Sequence, residues 1–392
     1  MPTLAAPKEP ALAAQTERIM ATFSRGGYEQ IATPVIQPAG PFLDSVGEAL
    51  RARTHVFVDR DGQELCLRPD LTIPTCRLHL ARHPGGNRLA HYCYHGLAFR
   101  YQAGAAMPTH PTESHQAGIE SFAVSDREKE DAAILALTLT ALHATGLKQI
   151  QLTIGDLGLF AALLHAIPMP VRWRRRLWHH FWRRDSFRRV LMRLTSSEAL
   201  KAHELPQDLI GRLDPANPKA AEAIVIEYLE RSGLDIYGTR TIPEMTERLL
   251  AAAADAREAP LDLAAAALID SLTLVRTPAP QAVRRVCDLL RPHKIDIEPA
   301  LVSFRRRLDL LDRLGVDTGE AEFSAVFGRS LEYYTGFVFQ AVSPKLGATN
   351  PIASGGRYDG LLTDLGAPHP VPAIGSCIHT ERLHAALHGD GP

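Results

Sequence analysis

The sequence predicts an α+β protein interrupted by an inserted helical domain. Short runs of aromatic and β-branched residues, several of them alternating, occupy the two ends of the chain, as strands half-buried in a sheet require. The pair Asp61-Gly62 lies between two such runs and is the strongest short hairpin signal present. From about Leu157 to Val302 the character changes to Ala-, Leu- and Arg-rich helical segments broken by prolines, and no strand is expected there. At 392 residues the chain exceeds the usual single core. Residues 1–160 and 300–392 are therefore expected to form one discontinuous domain, with 161–299 inserted into it.

In order, Ala11 to Phe23 carries apolar residues at near-helical spacing, and Gly26-Gly27 follows as a stop. Tyr28 to Ile36 reads as extended, with Pro34 at a sheet edge or an interface. The hairpin over residues 54–67 delivers Arg68-Pro69-Asp70-Leu71-Thr72, where Asp70 and Thr72 share one face if the segment stays extended, and a helix over about 73–82 follows. Strands are expected over 90–94 and 115–124, the second placing Gln116, Gly118, Glu120 and Phe122 on one face. A carboxylate on a covered sheet face costs several kcal/mol unless it is answered, so Glu120 needs a cation or a donor. A structural ion pair meets that need as well as a binding role does. Asp126 to Leu147 is a helix with acidic residues in its first turn, 148–155 a strand, 300–314 a helix, 372–378 a strand and 379–388 a closing helix.

Composition narrows the functional classes. With 43 basic against 44 acidic residues, nothing global attracts nucleic acid or an anionic membrane. The five cysteines are scattered without a C-x-x-C pair, which points to buried free thiols in a reducing compartment rather than a zinc site. No run approaches the ~18 apolar residues a membrane span needs, and no basic-then-apolar leader is visible, so a cytoplasmic protein is expected. Within the insertion, residues 172–189 concentrate Arg and Trp. Such a segment suits a phosphate-tracking surface or a subunit interface. Trp178, Phe181 and Trp182 also fall on one helical face, which suits packing within the domain.

The densest polar cluster lies near the C-terminus. Arg329-Ser330-Leu331-Glu332-Tyr333-Tyr334 sets a cation, a carboxylate and two phenols ahead of the strand-like run 337–339. About fifteen residues later comes Ser354-Gly355-Gly356-Arg357-Tyr358-Asp359, whose paired glycines permit close backbone approach. Polar groups bunched where a strand begins indicate a pocket for a small polar molecule.

Taken together, Gly27-Tyr28 with Pro34, Leu67 to Thr72, Phe99-Arg100, His115-Gln116-x-Gly-x-Glu120, Arg329 to Tyr334, Gly355 to Asp359 and Glu381-Arg382-Leu383 resemble the catalytic core of class II histidyl-tRNA synthetases over roughly residues 12–160 and 300–388. The resemblance implies an antiparallel sheet flanked by helices, dimerised around Pro34, with histidine held on the sheet. It implies a histidine-binding set of Asp70, Thr72, Arg100, Gln116, Glu120, Arg329, Tyr333 and Tyr334. Asp70, Thr72 and Gln116 offer acceptors to an ammonium and Arg329 answers a carboxylate. Glu120, Tyr333 and Tyr334 meet imidazole nitrogens.

The nucleotide half departs from that pattern. Gln102 stands where the family has a glutamate, no Lys or Arg occurs from Tyr101 to Asp126 before Arg127, and His379 replaces a glycine that lets backbone lie against the nucleotide. The sequence stops soon after Glu381-Arg382-Leu383, without the anticodon-binding domain of the synthetases. This combination resembles the ATP phosphoribosyltransferase regulatory subunits. That resemblance implies a non-catalytic, cofactor-free chain in a hetero-oligomer with a short-form catalytic subunit, activating it and transmitting feedback inhibition by histidine. A histidine-activating synthetase-like enzyme is the alternative.

Overall fold

The computed structural model describes residues 9–45, 51–101, 112–200, 206–233, 241–327 and 333–388. They fall into two compact units, residues 1–163 with 272–392 and residues 164–271.

The first unit is built on a nine-stranded sheet. Its strands are β1 (Glu29–Ile31), β5 (Ala90–Phe99), β6 (Glu113–Phe122), β7 (Gln151–Asp156), β8 (Arg276–Pro278), β9 (Glu322–Ser324), β10 (Phe337–Val342), β11 (Ala353–Arg357) and β12 (Ala373–His379). They lie in the order β1-β5-β6-β12-β11-β10-β7-β9-β8. The centre is antiparallel, as the resemblance implies, but the sheet is mixed: β1 runs parallel to β5 and β7 parallel to β9. A three-stranded sheet holds β2 (Ile36–Pro38), β3 (His55–Val58) and β4 (Glu64–Leu67) in the order β2-β4-β3. In the β3-β4 turn Gly62 takes a positive φ of 79°, and the Asp59 carboxylate accepts from the Asp61 and Gln63 amides.

Two expectations from the sequence are corrected here. The stretch read as strand-free contains β8, an Arg-Thr-Pro segment too short and too polar to signal a strand, which pairs with β9. Residues 272–299 consequently join the first unit, and the junction expected at 299/300 falls at 271/272.

The two sheet faces are covered differently. On one, Ser121 donates to Glu130 of the Arg127–Ala144 helix at 2.7 Å, and that helix packs beside Glu9–Arg25. On the other, His79 of the Thr72–Arg82 helix stacks on Phe122 at 4.6 Å between ring centroids. Because Phe122 and Glu120 share that face, the Thr72–Arg82 helix and the turn before it border the region above Glu120.

The helix-covered face is pinned by a buried charge network. Asp131, fully buried, accepts from Arg307 at 2.7 Å and from Arg357 at 2.9 and 2.5 Å. Arg307 also reaches Asp156 at 3.1 Å, and Arg357 reaches Asp359 at 2.8 Å. Arg127 also approaches Asp359 at 3.6 Å, so three guanidiniums face three carboxylates and the charges balance, which is the condition for burying them.

The second unit is helical. The Arg/Trp-rich segment expected to present Trp178, Phe181 and Trp182 on one helix is two helices, Val171–His180 and Arg184–Leu194, broken at residues 181–183. The buried face is Trp173 and Leu177, four residues apart, while Trp178 is only half-buried. Arg172 and Arg176 each meet Asp255 at 2.7 Å, Trp173 donates to the same carboxylate, and Arg188 forks onto Asp270. Those three arginines are used within their own unit, as domain packing requires.

Asp131→Asn should lower stability by about 3 kcal/mol or more, because it leaves two buried guanidiniums facing an uncharged amide. Urea denaturation checks this; a loss under about 1 kcal/mol would show that the network is not needed for folding.

Candidate functional site

A cavity of about 290 Å³ opens on the face opposite the Arg127–Ala144 helix, at the small end of the range for ligand pockets. Asp70, Thr72, Arg100, Gln116, Tyr333 and Tyr334, six of the eight residues expected to bind, line it. Glu120 lies behind the wall. Arg329 falls outside the described residues, as does Gln102.

Asp70 and Thr72 arrive differently from the sequence reading. Thr72 is the first residue of a helix rather than part of an extended run. Asp70 precedes it and accepts from the Ile73 amide at 3.2 Å through one carboxylate oxygen. The other oxygen is buried and has no hydrogen-bond partner among the described residues. Burial raises the Asp70 pKa from its ordinary value, with nearby Arg100 opposing the shift.

Glu120 sits at the centre of β6 and is buried. Its answer is three hydroxyl donors: Thr72 at 2.8 Å, Tyr94 at 3.0 Å, and Tyr358 on the second oxygen. The structural ion pair considered from sequence is therefore not what holds it. Burial pushes its pKa up to about 7, and the three hydroxyl bonds oppose that shift. The carboxylate fits because Gly375 of β12 stands directly across from it; a Cβ there would overlap the carboxylate and come within 2.9 Å of the Ile119 carbonyl. Tyr333, Tyr334 and Tyr358 form an aromatic wall, with centroids 5.1 Å apart for the first pair and 5.8 Å between Tyr333 and Tyr358. Tyr94 and Tyr358 escaped the sequence-based site. The register of β5 on β6, which pairs Gly118 with Tyr94, is the signal that places Tyr94 beside Glu120.

The lining is also cationic. Arg53 and Arg382 join Arg100 in the lining, with His379 beside them. Burial and the neighbouring Arg100 lower the pKa of both Arg53 and Arg382, as crowded like charges do. Arg382 donates to the Pro351 carbonyl at 2.9 Å, and Glu381 is held by the His115 ring and amide. Arg100 donates to the Pro69 carbonyl at 2.8 Å. The lining thus holds buried acceptors together with guanidiniums, Arg100 lying close enough to Asp70 to oppose its shift, which suits a small zwitterion.

Comparison with known proteins places this architecture. Residues 5–224 and 248–383 match the histidyl-tRNA synthetase family model. The fold is that of a structure from Bacillus halodurans described as an ATP phosphoribosyltransferase regulatory subunit/histidyl-tRNA synthetase (TM-score 0.67, 21% identity, 99% of this chain and 82% of that one). It is also that of a histidine-tRNA ligase subunit from Alicyclobacillus acidocaldarius (TM-score 0.59, 23% identity, 100% and 96%). These define a class II synthetase-like protein. ATP phosphoribosyltransferase regulatory subunits of Brucella anthropi and Agrobacterium fabrum are 32% and 33% identical to this chain, covering 93% and 95% of it and 95% and 97% of their own lengths. The chain belongs to the histidyl-tRNA synthetase family, in the branch formed by the ATP phosphoribosyltransferase regulatory subunits.

Glu120 gives the site a stability signature. Its carboxyl titrates near 7 when folded and near the ordinary 4.5 when unfolded. Between those values the folded chain keeps a proton that the unfolded chain has lost. The contribution of Glu120 to stability therefore falls as pH rises from 4.5 to about 7, by roughly 3 kcal/mol, and is level above. Glu120→Gln should flatten that segment of the stability curve, read as the difference in urea unfolding free energy between the two proteins at pH 5 and pH 7.5; parallel curves would place the titration elsewhere.

Proposed function

We propose that this chain is the non-catalytic regulatory subunit of an ATP phosphoribosyltransferase, the enzyme of the first step of histidine biosynthesis. It joins a short-form catalytic subunit, is required for that subunit's activity, and binds L-histidine in the cavity as the feedback signal. The names of the relatives support the first part. The observation that carries the second is the buried, unpartnered Asp70 oxygen in a cavity that also holds guanidiniums. An isolated buried carboxylate is costly, and an α-ammonium answers it. On this reading Asp70, Thr72 and Gln116 meet the ammonium and Arg100 the carboxylate, with Arg329 as the further cation that the sequence supplies. Tyr333 and Tyr334 enclose the imidazole in front of Glu120.

Homodimerisation around Pro34 belongs to the same proposal. Ile36 is 53% exposed, and Val56, Phe57 and Val58 of β3 are exposed in the same small sheet, apolar surface that association would cover. The free thiols favour a reducing, cytoplasmic setting. No described helix is long and apolar enough to cross a membrane.

Calorimetric titration with L-histidine should show binding, and Asp70→Asn should weaken it about 30-fold or more, the cost of removing one partner of a buried charge pair. In the complex reconstituted with the short catalytic subunit, histidine inhibition of phosphoribosyl-ATP formation should weaken in parallel. Absent binding, or Asp70→Asn binding equal to the parent, would overturn the pocket assignment. The guanidiniums in the lining make ATP the ligand to check for the alternative enzyme. Histidine-dependent ATP–pyrophosphate exchange should be absent, and robust exchange would overturn the non-catalytic reading.

A further inference from the structure

Packing uses only part of the Arg/Trp-rich segment in the helical unit. Residues 171–193 hold nine arginines against one acid, Asp185. Arg172, Arg176 and Arg188 answer Asp255, Glu258 and Asp270 within the unit. The guanidiniums of Arg175, Arg184 and Arg189 make no hydrogen bond or ion pair among the described residues, and these three are exposed together with Arg193. Burial lowers the pKa of the half-buried His180 ring, and His179, Arg183, Arg176 and Arg189 lower it further. Positive charge therefore accumulates on this side of the unit.

The Arg184–Leu194 helix buries Phe187, Leu191 and Leu194, and helical spacing puts Arg189, Met192 and Arg193 on the opposite face, with Met192 60% exposed. Arg189 and Arg193 are four residues apart, the spacing at which like charges weaken a helix. The thioether beside them is left in water. A surface that brings carboxylates around an apolar recess answers both.

We propose that this face, with Arg184 at the start of the same helix, docks on an acidic protein surface, that of the catalytic subunit. This rests on the regulatory-subunit reading above. A second copy presenting the same face would set arginine against arginine, so a two-fold contact here is repulsive. Nucleic acid suits the charge but not the rest of the face. Trp173, Phe181 and Trp182, the rings that could stack on bases, are 1%, 2% and 7% exposed, and the exposed apolar group is an aliphatic thioether instead. Arginine with methionine is the composition of a protein interface, where the guanidinium fork takes carboxylates in pairs. Because the whole chain carries a formal charge of −1, the patch acts locally, drawing the partner to one face and orienting the encounter.

Stopped-flow association of the purified chain with the short catalytic subunit tests this. Combining Arg189→Glu with Arg193→Glu should slow association about tenfold or more, and should flatten the fall in rate that the parent shows as salt rises from about 50 to about 500 mM. Met192→Ala should speed dissociation and leave the association rate unchanged. Lys219→Glu with Arg248→Glu makes the same change in net charge elsewhere in the unit and should slow association far less. Arg189→Gln with Arg193→Gln removes the charges without reversing them; it should give a smaller loss in the same direction, and it serves if the reversed pair does not fold. Calorimetric histidine binding by the isolated chain should equal the parent's in every variant. A reversed pair that associates at the parent's rate, or a control pair that slows association as much, overturns the inference. If the reversed pair instead abolishes a gel shift with tRNA, or changes the sedimentation of the chain alone, while subunit association stays intact, the face belongs to nucleic acid or to a second copy and the inference fails. No association between the parent chain and the subunit would instead remove the regulatory reading beneath it.

Discussion

Asp131 accepts from Arg357 on β11 and Arg307 on a helix 176 residues away in sequence, and the pocket is assembled on the far side of that contact. Arg357 is followed by Tyr358, whose hydroxyl crosses to Glu120, and by Asp359, whose carboxylate takes the first amide of β12 at 2.9 Å. The Asp359 amide in turn donates to Thr335, directly after the Tyr333-Tyr334 wall, at 3.0 Å. Three consecutive residues therefore fix the helix layer, the floor and the wall of one cavity. A buried salt bridge is poor evidence for net stability, because desolvation offsets much of the attraction. Its value here is register: a one-residue slip of β11 would turn Arg357 toward the cavity and Tyr358 toward Asp131, leaving both unanswered.

This explains which parts of the molecule were legible in the sequence. The β3-β4 hairpin was readable because Asp-Gly demands a particular turn, and the Arg127–Ala144 helix because its apolar positions and Asp126 cap coincide. β8 was not, since a three-residue edge strand ending in proline has no periodicity and exists only because β9 lies beside it. The break at residues 181–183 was missed for a related reason. Aromatic spacing across the break still looks helical, and the choice of Trp173 and Leu177 as the inner face depends on Asp255, more than 70 residues downstream.

The site was legible by residue type and less so by layer. Asp70, Thr72, Gln116 and the two tyrosines converge because their strands and turns are adjacent in the sheet, which motif order implied. Whether a carboxylate lines a cavity or stands behind it is decided by what crosses in front. For Glu120 that is Thr72 and Tyr358, one at a helix start and one just past a strand end. Period-two alternation places a side chain on a face but does not report how deep it lies.

The cavity lining holds charged groups of both signs, each under a burial penalty, and this bears on what it can accept. Asp70 and Glu120 are raised by burial, chiefly opposed by Arg100 for the first and by hydroxyl donors for the second, so an incoming cation relieves an existing penalty. Burial and the neighbouring Arg100 lower the basicity of Arg53 and Arg382 in the lining, so an incoming anion relieves a penalty there too. A ligand with only one charge answers half of this arrangement and leaves the other half strained. A zwitterionic amino acid answers both. An effector acts on an assembly only through a difference in affinity between its states. In the proposed assembly, a movement of the Tyr333-Tyr334 wall would supply that difference, and the Thr335–Asp359 bond ties the wall to Arg357 and the Asp131 network.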